Sequence, residues 1–241
     1  MRLAVISDIH GNWNAFQAVL NDMDTAAIDA VVCLGDNIGY GPEPNEVIDA
    51  LRQRKIPSVL GNHEMAVLQP KRLSWFNPTA RQSLSLTIER LSESSRRYIS
   101  RMQTFLVAHQ CRFVHGFPPE SPTTYYFELA EAATSKVFDM YPEQTCFIGH
   151  THDLVRLAHR QDRLELEPLA RGRLVLEQGT RYIINAGSVG QPRDGENSAK
   201  YVIWDSGSQE LDVRFVAYDI AATVKKIIDA GLPEIHARRL W

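Results

Sequence analysis

Apolar and polar positions follow two rhythms along this chain. Residues 2–7 form a short apolar run that stops at Asp8, too short for a helix and typical of a buried strand. From Trp13 the period changes. Trp13, Phe16, Val19, Leu20 and Met23 recur three or four apart and predict an amphipathic helix. Residues 30–34 read as the next strand, 44–54 as a helix with Val47, Ile48 and Leu51 inward, and 56–60 as a third strand. Strand-helix-strand-helix-strand predicts a parallel sheet with right-handed crossovers.

The rhythm is lost at 65–103, which is polar and helically patterned, with a helix start at Asn77-Pro78-Thr79. This stretch reads as a helical cap inserted into one domain spanning residues 1–241. Beyond it, strands are predicted at 104–108, 110–115, 145–149, 154–158, 173–176, 181–185, 200–204 and 211–217. Helices are predicted around 130–140 and 219–231. The class is α/β: two mixed sheets covered by outer helices.

Composition narrows the function classes. At 241 residues, 44% hydrophobic and 23% charged, the chain resembles an ordinary globular enzyme. A net charge of −3 lends no support to general nucleic-acid or membrane-surface binding, so nucleic acid enters only as a nucleotide substrate. No apolar run approaches the roughly 20 residues that span a bilayer, and no signal-peptide apolar region precedes Asp8, so the expected setting is cytoplasmic. Cys33, Cys111 and Cys146 are odd in number and lie in apolar stretches, as buried free thiols do. Charge is uneven, however. Residues 71–101 carry seven positive and two negative side chains, a net of +5 within a chain that is negative overall. One reading is a solvated helix face. The other is a cap whose Arg96, Arg97 and Arg101 attract a substrate carrying more charge than one phosphate.

The chemistry-bearing residues gather at the predicted C-terminal ends of strands, where open α/β sheets bind ligands. These ends read Ser7-Asp8-Ile9-His10-Gly11-Asn12, Gly35-Asp36-Asn37, Gly61-Asn62-His63-Glu64, His115-Gly116 and Gly149-His150-Thr151-His152. Five of the eight histidines fall there. Imidazole and carboxylate together suit divalent transition ions such as Mn, Fe, Zn, Co or Ni. Asp8 and His10, two apart on an extended segment, are expected to point the same way. A central carboxylate such as Asp36 could bridge two ions roughly 3.5–4 Å apart. A single Asp-x-His or His-x-His occurs often by chance; five such ends in this order do not.

These ordered motifs resemble those of the calcineurin-like metallophosphoesterase family: Asp-x-His, Gly-Asp, Gly-Asn-His-(Asp/Glu), His and Gly-His-x-His. The matching frame runs from residue 3 to about 194. The resemblance implies a four-layer α/β/β/α sandwich, the metallophosphoesterase fold, with two divalent metal ions at one rim. It implies that Asp8, His10, Asp36 and His152 hold one ion, and Asp36, Asn62, His115 and His150 the other. It implies hydrolysis of phosphate mono- or diesters by a water shared between the ions. His63 would donate a hydrogen bond or proton to the leaving oxygen. Glu64 would fix His63 or end a turn. The alternative is a non-catalytic metal-binding scaffold of the same fold, which loss of ligands or of His63 would mark; neither is lost here.

Substrate-binding candidates are Arg193, in the turn-rich stretch 185–193 and suited to a bidentate phosphate contact, and Asn12 and Tyr40, which neighbour the proposed ligands. The partner expected is a small-molecule or phosphorylated anion, and a homo-oligomer is compatible with the sequence. One departure limits the analogy. Ser/Thr protein phosphatases and symmetrical diadenosine tetraphosphatases carry Gly-Asp-x-x-Asp-Arg-Gly, whereas this chain reads Gly35-Asp36-Asn37-Ile38-Gly39-Tyr40-Gly41, so neither activity carries over.

Overall fold

The short apolar runs assemble into two sheets in a computed structural model that describes residues 1–160 and 163–241. In the first, β1 (Arg2–Ile6) pairs in parallel with β2 (Ala30–Cys33) and antiparallel with β10 (Ala199–Asp205). The sheet continues through β11 (Glu210–Val216) to β8 (Gly172–Val175). The second runs β3 (Phe105–Ala108), β4 (Cys111–Val114), β5 (Thr145–Ile148), β9 (Arg181–Ala186), β6 (Leu154–Arg160) and β7 (Arg163–Pro168). Its β4–β5 and β5–β9 pairs are parallel.

Strand alternation builds the layers. Leu3 and Val5 of β1 pack between the sheets with Phe113, Phe147, Ile184, Val202 and Trp204. Ala4 and Ile6, facing the other way, meet Phe16, Val19 and Leu20 of helix α1 (Trp13–Thr25) and Val47 and Leu51 of α2 (Pro44–Gln53). On the far face of the second sheet, Val114, Cys146, Ile148 and Ile183 pack with Val137 of α6 (Glu131–Val137) and Phe138. The order is helix, sheet, sheet, helix. No helix among the described residues is long and apolar enough to cross a membrane. All three cysteines are free and buried.

Residues 62–99 are helical: α3 (Asn62–Leu68), a 3₁₀ segment (Pro70–Trp75), α4 (Pro78–Arg90) and α5 (Glu93–Ile99). They build a small core of Ala66, Leu84, Leu91 and Ile99 against Ile38 and Ile48. Asn77 caps α4, accepting a hydrogen bond from the amide of Ala80, and Pro78 occupies the first turn. The helix begins three residues earlier than expected, so Asn62 and His63 stand in the first turn of α3. At the other end, α7 (Ile220–Asp229) and α8 (Glu234–Arg238) pack Ile227, Leu232, Ala237 and Leu240 beside Leu86 of α4.

Three elements differ from the expectation. Residues 56–60 form no strand; they make only bridges from Ser58 to Cys33 and from Val59 to Gln103. Pro57 has no amide hydrogen to donate, which cuts the ladder short. Strand β7 and helix α8 lie outside the predicted elements. β7 is a largely exposed edge strand, and α8 spans only five residues after Pro233.

Candidate metal centre

Every motif follows the C-terminal end of a strand or of the bridged segment 58–60, so both sheets contribute to one rim. The residues do not converge as strand alternation would have them. Asp8 and His10 lie beyond β1 with φ of 53° and 51°, and Asp36, Tyr40, His150 and His152 also have positive φ (50°, 60°, 70° and 65°). The shared side-chain direction expected of an extended segment therefore arises from left-handed turns instead. For a non-glycine residue this conformation costs roughly 1–2 kcal/mol and collects where function over-determines the backbone. Hydrogen bonds hold the turns. Asp8 N–H donates to the Gly35 carbonyl (3.0 Å), His10 N–H to the Asp36 carbonyl (2.9 Å) and Ser188 Oγ–H to the Asp8 carbonyl (2.9 Å). Gly61 is required by contact: a Cβ there would stand 2.1 Å from Asp36 Oδ1.

The side chains form three overlapping groups of possible ligands: Asp8, His10 and His152; His10, Asp36 and His63; and Asp36, His115 and His150. Asp36 Oδ2 lies 3.3 Å from His115 Nε2, 3.8 Å from His63 Nε2 and 3.9 Å from His10 Nε2. Asn62 Oδ1 joins the far side, 3.0 Å from His115 Nε2. All seven proposed ligands thus come together. His63 also falls within one geometric group, although the family frame does not count it as a ligand.

Backbone carbonyls orient the rings. Nδ1–H donates to a carbonyl in His10 (Ile38, 3.0 Å), His115 (Leu34, 2.8 Å) and His152 (Gln191, 2.5 Å). Each therefore turns Nε2 inward, the arrangement that fixes a metal-binding tautomer. His150 is reversed: Nε2–H faces the Thr123 carbonyl at 3.2 Å, which leaves Nδ1 for the centre. His10 Nε2 and His152 Nε2 are 3.2 Å apart, and in these tautomers both carry lone pairs. Asp8 Oδ1, 3.7 and 3.4 Å from them, is buried without a hydrogen-bond partner among the described residues. A cation satisfies three converging donors of electron pairs in a buried place, so the residues fit a metal ion.

Protonation follows the same logic. Burial works to raise the Asp36 carboxyl, but His115, His63 and His10 hold it well below the usual carboxylate range. Burial pushes Asp8 up to about 6. Burial works to lower His115, yet Asp36 and Asp8 carry it up to about 9. Burial lowers His63 to about 4 and His150 to about 3.

The remaining candidates separate. Tyr40 lines the cleft outside the centre, its ring 4.4 Å from His10 and 4.8 Å from His63. Arg193 is exposed at the same cleft, and its charge helps depress His10, His63 and His152. Asn12 belongs elsewhere. Its Oδ1 caps α1 through the amide of Ala15 (3.1 Å), and its Nδ2 donates to the Gly190 carbonyl (2.9 Å), burying the side chain. That leaves no group for substrate. Asn12→Ala is expected to lower stability by about 1–2 kcal/mol, through loss of the cap and one buried bond, while KM stays near its original value. Urea unfolding and steady-state kinetics decide; unchanged stability with a raised KM returns Asn12 to the substrate.

Glu64 does not touch His63. Its carboxylate accepts from the amides of Asp36 (3.0 Å), Asn37 (2.7 Å) and Gly61 (3.1 Å), tying two motif loops together. The arginines named at 96, 97 and 101 do not overhang the centre. Arg96 donates to the Ile88 and Leu91 carbonyls and Arg97 pairs with Glu93 (2.8 Å), and of the seven basic residues in 71–101 only Arg72 lines the cleft. Sequence reading missed Ser7, which donates to Asp8 Oδ2 (2.5 Å), and Tyr125, stacked on His150 at 4.0 Å. Ser7 adjoins a motif and could have been suspected. Nothing around Tyr125 signals its place.

Comparison with known proteins gives the geometry a context. Residues 1–209 match the family model described as the calcineurin-like phosphoesterase superfamily domain. An uncharacterized protein of Methanocaldococcus jannaschii is 33% identical over 243 residues, covering 99% of this chain and 97% of the relative. The crystal structure of a metallophosphoesterase from Sphaerobacter thermophilus is 35% identical, with a TM-score of 0.84 over 100% of this chain and 98% of that one. A hypothetical protein from Pyrococcus horikoshii, 20% identical, shares the fold over 100% of this chain and 97% of its own, with a TM-score of 0.78.

Proposed function

This chain belongs to the calcineurin-like phosphoesterase superfamily, and from that premise we propose that it is a dinuclear metal-dependent hydrolase of phosphate mono- or diesters. The observation that carries this reading is the pair of lone-pair-bearing nitrogens, His10 Nε2 and His152 Nε2, 3.2 Å apart beside the unpartnered Asp8 Oδ1.

Asp8, His10, His152 and Asp36 would hold one ion, and Asp36, Asn62, His115 and His150 the other. When bound, the ions supply Lewis-acid charge and lower the pKa of the attacking water. The other roles belong to the chain. Ser7 and the His150 amide both donate to Asp8 Oδ2, which leaves Oδ1 turned inward. Arg193 and Tyr40 would hold phosphate oxygens. His63, packed edge-on against Phe76 and beside His10, would present an N–H to the leaving oxygen. We read the setting as cytoplasmic, in keeping with three free thiols.

Purified protein stripped with a chelator and reloaded with Mn, Fe, Zn, Co or Ni is the test, with bis-p-nitrophenyl phosphate and p-nitrophenyl phosphate as substrates. Hydrolysis that returns with metal supports the reading. No turnover with any ion, despite two bound equivalents, would instead favour the scaffold.

Metal binding should also release a proton. Apo His115 holds one below about pH 9, and a ligand imidazole must lose it. Affinity is therefore expected to rise about tenfold per pH unit between about 6, where the Asp8 carboxyl has lost its proton, and about 9, and to flatten above that. Calorimetry at pH 7 in two buffers of different ionisation enthalpy reads the proton directly; none released overturns the assignment of His115.

A further inference from the structure

The metal centre opens into a cleft of about 810 Å³, in which Asn62 and His150 line the inner end. A cleft of this size accommodates a ligand of several hundred daltons, and one phosphate fills only a small part of it. The outer part is built by segments that none of the motifs reach: the 3₁₀ turn of residues 70–75 and the end of the chain after α8. They contribute Arg72, Trp75, Arg239 and Trp241. Trp75 is 65% exposed and Trp241 69% exposed, and the Arg72 guanidinium lies over the Trp75 ring at 4.2 Å. Two large indoles held at one opening gain nothing from the core. They offer flat faces to a flat ligand.

Charge points the same way. Arg72, Arg193 and Arg239 line the cleft against a single acidic side chain among the described residues, Glu196. The side chains of Arg72 and Arg193 hydrogen-bond, among the described residues, to neutral oxygens, of Gln69 for Arg72 and of Gln191 and Tyr40 for Arg193. Among the described residues, the ion pairs formed by arginine involve others, such as Arg54 with Asp24 and Arg214 with Asp22. Guanidinium groups left without carboxylates, beside stacking surfaces, are the donors that grip phosphates in a nucleotide.

We infer that this outer cleft is a subsite for a nucleoside diphosphate or larger nucleotide. Its terminal phosphate would sit at the metal centre, the next phosphate against Arg72 and Arg239, and the base on Trp75, the indole beside Arg72. The inference rests on the proposed metal-dependent phosphoesterase function and extends it from esters to the phosphoanhydride of a nucleotide. In the step, the oxygen of water bonds to the terminal phosphorus as the phosphoanhydride P–O bond breaks. The electron pair of that bond leaves with the shortened nucleotide, so a nucleoside diphosphate and water give a nucleoside monophosphate and inorganic phosphate.

Two measurements on the metal-loaded protein test this. In kinetics, Arg72→Ala and Trp75→Ala should each lower the ratio of kcat/KM for ADP to that for bis-p-nitrophenyl phosphate by roughly tenfold or more, and Trp75→Phe should recover most of the loss. In calorimetry, adenosine 5′-(α,β-methylene)diphosphate should bind more tightly than inorganic phosphate, and Trp75→Ala should remove the difference. If the wild-type protein cleaves the nitrophenyl ester but the ratio is indifferent to both substitutions, the subsite is overturned and the phosphoesterase reading stands. If no ester is cleaved with any ion, that reading fails, and calorimetry alone decides the subsite: no advantage of the analogue over phosphate sinks it. A phosphopeptide that binds where the analogue does not also sinks it.

Discussion

Asp36→Asn is expected to purify with both ions depleted and to lose several orders of magnitude in turnover. The carboxylate presents Oδ2 to His115, His63 and His10 together, so it is shared by two of the ligand groups. Asparagine would keep the Oδ1 that accepts the His63 amide at 2.9 Å and so preserve the fold. It would remove one negative charge from each coordination shell. Because nucleophile activation and charge stabilisation both depend on the pair, neither survives the loss. Elemental analysis of the purified variant beside its steady-state rate gives the answer. Two full equivalents with near-normal turnover would sink the bridging assignment.

His63→Ala should separate chemistry from metal binding. His63 is buried, its Nδ1 has no partner among the described residues, and burial keeps the ring neutral at pH 7. A neutral ring still carries one N–H, and an arriving phosphate dianion raises its affinity for a second proton. Removing the ring should lower turnover of alkyl phosphate esters by about 10²–10⁴-fold, the usual range for general-acid assistance. Nitrophenyl esters should suffer less, since their leaving group hardly needs a proton. Metal content must be measured too, because His63 lies in a geometric group with His10 and Asp36. Full occupancy with a leaving-group-dependent loss supports the donor role. Lost metal would make His63 a ligand, and equal losses on both substrates would leave it a phosphate contact.

Much of the fold was legible because apolar alternation has one solution when both faces of a strand are buried. Leu3 and Val5 had to face one layer and Ala4 and Ile6 another, and they do. The segment at 56–60 misled because its apolar side chains resemble a strand while Pro57 denies it a full ladder. Among the site residues, motif order foretold which side chains would gather, but not how. Asp8 and His10 meet through left-handed turns, which no side-chain pattern announces. Asn12 looked available because it adjoins His10; capping α1 consumes its amide, a use that sequence proximity does not reveal. The basic stretch illustrates the same limit. Charge counted along a chain carries no direction, and helix packing sent Arg96 toward the Ile88 and Leu91 carbonyls while leaving Arg72 at the cleft.

The left-handed backbone at Asp8, His10, Asp36, His150 and His152 shapes how such a centre can decay. Most replacements there exchange one strained side chain for a worse one, because a β-branched or bulky residue is least tolerant of positive φ. Asparagine and glycine are tolerated, since glycine enters this region freely and asparagine about as readily as the aspartates already there. A lineage that gave up the chemistry while keeping the fold would therefore pass through those two residues first. At Asp8 and Asp36, asparagine would keep the turn while removing the charge that draws the ions, so the change that silences the centre leaves the loops that carry it in place.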